Sequence, residues 1–258
     1  MNNNKTLSSI VLLIILYLLS TTNFFIQFIS NELVGYLLML TLRLIFIIFA
    51  IFYIKPNGLP QPFFQKLHVS ELLLLPLILV AFSNLFVVLI THSPLNEPIN
   101  GIAIWQGTIF DLFVVFAEEL VFRAVLLVYL LKKYKPLVAI IVSSIIFGFV
   151  HLVNISSLAS IFPVLVQCIY SVGIGLVCGL IYYVSKNFAL PLFFHYCFNF
   201  FNGNLIPTVY KLPQTPLFYI INGVIALVAI AYGSGLFVYF NKKGENDYAT
   251  KNMDIRYL

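Results

Sequence analysis

Phe116-Ala117-Glu118-Glu119-Leu120-Val121-Phe122-Arg123 puts two adjacent carboxylates and a guanidinium inside an apolar run that extends from Ile102 to Leu131. A run of that length can cross a bilayer, which needs about 20 apolar residues. Each charge at bilayer depth costs at least about 2.5–3.5 kcal/mol on insertion scales, so ionisable groups there point to function. In a helix Glu119 and Arg123 are four apart and share a face, where they can neutralise each other. Glu118 lies about 100° further round and has no such partner in its own helix. The octet therefore divides into a structural ion pair, Glu119–Arg123, and a reactive acid, Glu118. The alternative is that both glutamates only join helices together.

The rest of the chain sets this octet in a membrane. Of 258 residues, 61% are hydrophobic and 9% charged, and the mean hydropathy is +1.02. Soluble domains carry about 25% charged residues, so the composition specifies a polytopic membrane protein built as an all-α transmembrane bundle. Eight apolar spans are expected, near residues 8–30, 34–54, 70–91, 102–131, 137–153, 163–184, 188–206 and 217–240. They form one membrane domain, 1–240, followed by a polar tail, 241–258, expected to be a loose cytoplasmic end. The first span has a preceding lysine, as a signal peptide would, but no small-residue cleavage site follows it, so it reads as a retained span.

Charge distribution orients the bundle. With alternate loops counted from an inside N-terminus, eleven lysines and arginines fall on one side and only Lys211 on the other. Arg43 and Arg123 lie within spans, which accounts for all 14. The positive-inside rule then places both termini in the cytoplasm of a multi-pass cell-membrane protein. The net charge of +5 is thereby explained as topology, and no nucleic-acid partner is expected. The three cysteines, Cys168, Cys178 and Cys197, lie in apolar runs and read as small buried hydrophobes.

Packing signals accompany the spans. Ser171, Gly175 and Gly179 form a small-residue ridge on the sixth span, and Ser144 and Gly148 do so on the fifth. Such ridges let helix backbones approach closely. Residues 55–66, with four helix breakers in Pro56, Gly58, Pro60 and Pro62, are expected to form a rigid cytoplasmic turn. Arg43 needs a partner within the bundle, and Asp111 is the expected one.

Two further spans carry polar pairs four residues apart, Phe147-x-x-x-His151 and His195-x-x-x-Asn199. At 1.5 Å per residue from the cytoplasmic span ends, Glu118, His151, Asn199 and His195 lie about 20, 21, 17 and 11 Å deep. Helix tilt, about 20° on average, can absorb much of that spread. A carboxylate in an apolar site can act as general base towards a water, and a neighbouring imidazole can hold that water or share its proton. A second imidazole and an amide can donate to a developing oxyanion. No Ser or Cys is paired with a His and an acid, and there is no His-Glu-x-x-His zinc motif. This is a kit for hydrolysing a peptide bond within the membrane.

Taken together and in order, Glu118-Glu119-x-x-x-Arg123, Phe147-x-x-x-His151 and His195-x-x-x-Asn199 resemble the three motifs of the CAAX protease and bacteriocin-processing (Abi) family of intramembrane proteases. The resemblance covers residues 102–206. It implies that Glu118 and His151 position and activate the attacking water, with Glu119 and Arg123 completing their motif. It also implies that His195 and Asn199 form the oxyanion site. Family members trim prenylated CAAX proteins or, in bacteria, serve bacteriocin maturation, self-immunity and quorum-peptide processing. The Asn-, Lys- and Ile-rich composition points to a bacterial source, and so to a membrane-bound peptide or protein precursor as substrate.

The family has been described both as metal-dependent and as metal-independent. Glu118, His151 and His195 would be the ligands of a three-residue zinc site with an open position. Glutamate-activated water is the preferred expectation, because a buried acid beside an ion pair needs no metal to be useful. Two other function classes use the same residues: a proton-coupled carrier, and a non-catalytic immunity or scaffold protein that binds a peptide. The carrier is disfavoured because no inverted repeat with paired broken helices is visible.

Overall fold

The structure, a computed structural model, describes residues 3–21, 31–54, 69–213 and 215–248. In chain order its α-helices are α1 (Asn3–Thr21), α2 (Glu32–Ile54), α3 (Ser83–Thr91), α4 (Gly101–Glu119), α5 (Val128–Leu131), α6 (Pro136–Phe149), α7 (Ile161–Ser185), α8 (Ala189–Phe198), α9 (Ile206–Val209) and α10 (Pro216–Tyr248). Among the described residues there is no β-strand, only an isolated antiparallel bridge between Leu95 and Tyr210.

Several helices continue in other helical geometries. A 3₁₀ segment, Val69–Phe82, leads into α3, and Pro76 lies within it. Proline there removes one N–H and clashes with the carbonyl four residues back. A π-helix, Leu120–Leu127, joins α4 to α5, and a second, Asn199–Leu205, joins α8 to α9. α6 tightens into a 3₁₀ turn at Val150–Asn154.

Five helical segments are long and apolar enough to cross a membrane: Glu32–Tyr53, Glu71–Thr91, Pro136–Asn154, Ile161–Ser185 and Pro216–Lys242. These correspond to five of the expected spans. The shorter apolar helix Thr6–Thr21 matches the start of the first expected span, whose later part, 22–30, lies outside the described residues. The expected fourth and seventh spans are helical runs interrupted by the two π-helices. α10 continues to Tyr248, so the polar tail begins as helix rather than as loose chain. The expected turn at 55–66 lies outside the described residues, as does the end of the tail.

The chain forms two compact units. The first takes its described residues from Met1–Phe63 and Phe113–Gly179, the second from Phe64–Leu112 and Leu180–Ile255.

In the first unit the two small-residue ridges meet each other. A Cβ built on Gly175 would lie 2.9 Å from Ser144 Cβ, and one on Gly179 would lie 3.0 Å from an Ile140 methyl. One on Gly148 would lie 2.3 Å from a Val172 methyl and 2.8 Å from the Cys168 carbonyl oxygen. Backbone cannot yield as a flexible side chain can. Gly148→Val is therefore expected to destabilise the protein by about 1–3 kcal/mol. Gly173→Ala, where a Cβ meets nothing within 4 Å, is expected to be neutral. Unfolding of both variants in detergent micelles checks the contrast, and equal stabilities would remove the close-packing account.

In the second unit α8 packs on the 3₁₀ segment that precedes α3, and α10 packs on that segment and on α3. Asn202 links these elements. Its Oδ1 accepts from the Asn84 backbone N–H at 2.9 Å and from Ser83 Oγ at 3.3 Å. Its Nδ2 donates to the carbonyls of Val80 and Ala81. The change from 3₁₀ to α geometry at Phe82–Ser83 leaves backbone groups to be satisfied in this apolar setting, and one amide side chain serves four of the polar groups around it. Asn204 does the same for α4, donating to the Ile104 carbonyl at 3.0 Å. Gly107 leaves the space that Asn204 fills: a Cβ there would lie 2.6 Å from the Asn204 amide.

Candidate active site

The first unit brings together Glu118, Glu119, Arg123 and His151. Glu118 and Glu119 end α4, and Arg123 falls in the π-helix that follows. π segments are rare and recur at functional sites. Glu119 and Arg123 are 0% and 1% exposed, Glu118 4%. At such burial a charge must be paired. Arg123 Nε stands 3.2 Å from Glu119 Oε2, as the spacing of four predicts. Arg123 also donates to the Gly175 carbonyl at 3.5 Å, and its guanidinium lies 4.5 Å from the centre of the Phe147 ring. Gly175 thus has two uses: it lets α6 approach α7, and it offers its carbonyl to the arginine.

Glu118 is held from outside its own helix. Tyr17 of α1 donates its hydroxyl to Glu118 Oε1 at 2.6 Å, the short length of a charge-assisted bond. Tyr17 is itself fixed, its ring edge-on to Phe46 of α2 and to Phe122. The Arg43 guanidinium of α2 interacts electrostatically with both Glu118 and the Tyr17 hydroxyl, and it donates to the Met39 carbonyl at 3.3 Å. The intramembrane arginine therefore has electrostatic partners in the acid and the phenol of its own unit. Asp111, the partner expected from sequence, belongs to the second unit.

His151 faces the same carboxylate. Where α6 tightens into its 3₁₀ turn, the Phe147 carbonyl receives His151 Nδ1 at 2.9 Å. A carbonyl only accepts, so Nδ1 carries the proton. In the neutral ring Nε2 is then the lone-pair nitrogen. Nε2 points at Glu118 Oε1, 3.9 Å away, and at Ser171 Oγ, 3.5 Å away. The Phe147 ring packs edge-on against the imidazole, and Phe122 packs against Phe147. Phe147 thus fixes His151 twice, by its carbonyl and by its ring.

The 3.9 Å separation decides what fits between these two atoms. It exceeds a direct hydrogen bond, and at such gaps a bridging water is the natural occupant. Water at ordinary hydrogen-bond length from each would meet them at about a right angle. Zinc binds nitrogen and carboxylate oxygen at about 2.0–2.2 Å, so donors this far apart would open to about 140° at the ion, against a tetrahedral preference. The same carboxylate oxygen already accepts from Tyr17 and feels the Arg43 charge, which disfavours a cation further. As built, the pair fits a water better than a zinc ion.

His195 and Asn199 lie in the second unit. His195 is on α8 and is buried, 4% exposed. Asn199, half-buried, opens the second π-helix, and its backbone N–H donates to the His195 carbonyl. That bond across one turn keeps both side chains on one helix face, as their spacing predicts. Asn199 and both motif acids therefore sit at an α-to-π junction, and His195 lies one turn before one.

Three contributors were not legible as site residues. Tyr17 carries no motif, and its only signal is that it is the one aromatic residue in the first helix. Ser171 reads as a packing residue, and it also reaches His151 Nε2. Arg43 stands out as a buried charge, but spacing cannot assign its partner. Replacing Tyr17 by Phe removes a hydrogen bond to a charged group, worth about 1.5–3 kcal/mol. If Glu118 is the catalytic base, kcat is expected to fall about tenfold with KM unchanged. A kcat within twofold of wild type would leave Tyr17 as a packing residue only.

Comparison with known proteins identifies one family. The family model described as type II CAAX prenyl endopeptidase Rce1-like matches residues 100–201. The matched segment contains Glu118, Glu119, Arg123, His151, His195 and Asn199, and it agrees with the resemblance read from the motifs. With several helices apolar enough to cross a membrane, the match supports a membrane-embedded peptidase acting on a peptide or protein. Neither the curated proteins nor the solved structures yield a match.

Proposed function

We propose, on the premise of an Rce1-like core at residues 100–201, that this protein is an intramembrane endopeptidase using glutamate-activated water. Its substrate is a membrane-associated peptide or protein precursor, of the bacteriocin, signal-peptide or self-immunity kind. It acts as a multi-pass protein of the cell membrane with both termini in the cytoplasm. The observation that carries the reading is the 3.9 Å approach of His151 Nε2 to Glu118 Oε1, inside a wall of Tyr17, Phe122 and Phe147.

In this mechanism a water held between the two atoms attacks the scissile carbonyl carbon. Glu118 accepts one of its protons as the C–O bond forms, with His151 orienting the water through its Nε2 lone pair. The carbonyl oxygen becomes an oxyanion, for which His195 and Asn199 are the proposed donors. Glu118 then returns its proton to the leaving amine as the C–N bond breaks, which leaves two peptides and the enzyme unchanged. Arg43 and Tyr17 hold Glu118 aimed before the substrate arrives. Glu119 and Arg123 hold the end of α4 against α6 and α7.

The test is comparative mass spectrometry of membrane peptides from cells carrying wild-type protein or the Glu118→Gln variant. A precursor that accumulates only in the variant, with its cleaved fragment lost, supports the reading. Identical peptide profiles from both cells would sink it. Cleavage by purified protein is also expected to survive a strong chelator. Loss of activity with chelator and its return on adding zinc would replace activated water by metal catalysis.

A further inference from the structure

The second unit contains a cavity of about 420 Å³, within the size range of small-molecule sites. It lies where helices end: α3 stops at Thr91, α9 at Val209, and α10 starts at Pro216. Its wall includes Asn84, Asn96, Asn202, Tyr210, Lys211 and Phe218. The wall is held by backbone. Asn96 N–H donates to the Val209 carbonyl at 2.8 Å, and Lys211 N–H donates to the Pro94 carbonyl at 2.9 Å. The loop bearing Tyr210 and Lys211 is thereby fastened to the loop after α3 before any ligand arrives.

Most of the wall's amide donors are already used within the protein. Both amide protons of Asn96 go to the carbonyls of Pro207 and Thr208, each at 3.0 Å. Asn84 Nδ2 donates to the Asn202 carbonyl at 3.0 Å. The Asn202 amide is consumed at both ends by Val80, Ala81, Ser83 and Asn84. The orientations of Asn84 and Asn96 are forced, because their partners are carbonyl oxygens that accept only. The Oδ1 atoms of Asn84 and Asn96 remain as acceptors, and Asn84 is only 8% exposed. The Tyr210 hydroxyl and Lys211 Nζ have no protein partner among the described residues. The wall therefore carries two neutral acceptors, the second N–H of Asn84 Nδ2 and, apart from them, an ammonium and a phenol.

Such a wall suits a ligand that is itself zwitterionic. Its anion meets Lys211 and Tyr210, and its N–H donors meet the two amide oxygens. The charge pattern of the chain agrees. Lys211 is the only one of 14 lysines and arginines that the span count assigns to its side of the membrane, and it lines this cavity. Aromatic side chains of the interfacial type are exposed near two helix starts of this unit: Trp105 near the start of α4 is 71% exposed and Tyr219 near the start of α10 is 49% exposed. Trp and Tyr gather at head-group level. Phe218 supplies an apolar wall for the acyl chains attached to a head group.

We propose that this cavity binds the head group of a phospholipid that joins a phosphate to a primary ammonium, as in phosphatidylethanolamine. The phosphate sits on Lys211 and Tyr210, the ammonium on Asn84 Oδ1 and Asn96 Oδ1, and the acyl chains run beside Phe218. The site is independent of the peptidase reading.

The experiment uses the purified full-length chain in phosphatidylcholine bicelles doped with equal amounts of phosphatidylethanolamine or phosphatidylglycerol, with retained lipid measured by native mass spectrometry. Phosphatidylcholine keeps the phosphate but has no N–H, and phosphatidylglycerol keeps the phosphate without the ammonium. Phosphatidylethanolamine is expected to be retained at least fivefold over either. Lys211→Gln and Tyr210→Phe, which remove no internal contact of their polar ends, are each expected to lower that preference at least threefold while unfolding as wild type does in pure phosphatidylcholine. Glu118→Gln is expected to retain the lipid fully. Equal retention of the three lipids, or variants that bind like wild type, would overturn the proposal. Displacement by soluble phosphoethanolamine at matched concentration would overturn the lipid assignment in favour of a soluble zwitterion.

Discussion

Glu118→Gln is expected to leave a folded protein whose peptide cleavage is slower by about 10²–10⁴-fold, the range supplied by a positioned general base. Glutamine keeps the shape of the side chain and an oxygen that can still accept from Tyr17, so α1 stays seated on α4. What it loses is the ability to take a proton from water. His151, whose ring is fixed by the Phe147 carbonyl, is then left to hold the water through Nε2 without the anion beside it. The two effects separate in one comparison. Stability is measured by unfolding in micelles, and rate by cleavage of the precursor found through the membrane-peptide profile. A rate within threefold of wild type would remove Glu118 from the chemistry and return both glutamates to a gluing role.

Arg123→Leu is expected to be the most destabilising single change at the site, by about 3–5 kcal/mol. It removes the cationic partner of a glutamate with no exposed surface, and a buried pair broken by the loss of one partner costs that much. Glu119→Leu strands the arginine instead and is expected to cost a similar amount, tempered by the Gly175 carbonyl and the Phe147 face that Arg123 keeps. The double variant carries neither charge. Replacing a buried ion pair by apolar side chains of similar volume is often neutral or stabilising, so the double variant is expected to recover most of the loss. The measurement is a double-mutant cycle on unfolding free energy, where contacting groups couple by about 0.5–3 kcal/mol. Additive losses would mean that Glu119 and Arg123 act separately, and the division between structural pair and reactive acid would fail.

That division was legible because it is local. A spacing of four on a helix fixes a shared face whatever the helix packs against, so Glu119–Arg123 and His195–Asn199 could be paired from sequence. The small residues of α6 and α7 are a second local signal. Their lack of side-chain volume indicates close backbone approach, and Ser144 against Gly175 realises it. The membrane setting followed from composition, because 9% charge leaves too little polar surface for a soluble domain.

Helix geometry changes were not legible. The π-helices at Leu120–Leu127 and Asn199–Leu205 and the 3₁₀ turn at His151 have no dipeptide signature, since packing decides whether a turn holds three, four or five residues. The apolar stretches looked alike whether they became uninterrupted helices or broken ones.

By itself the sequence determined that this protein lives in lipid, that its acids and arginine share one helical run, and which polar groups share a face. The tertiary structure decided what Glu118 touches. Tyr17, 101 residues away, His151 and the Arg43 charge reach it from three other helices. No periodicity in a chain encodes which distant helix arrives beside it. That choice is made by side-chain volumes meeting in three dimensions and by the cost of leaving a buried charge without a partner.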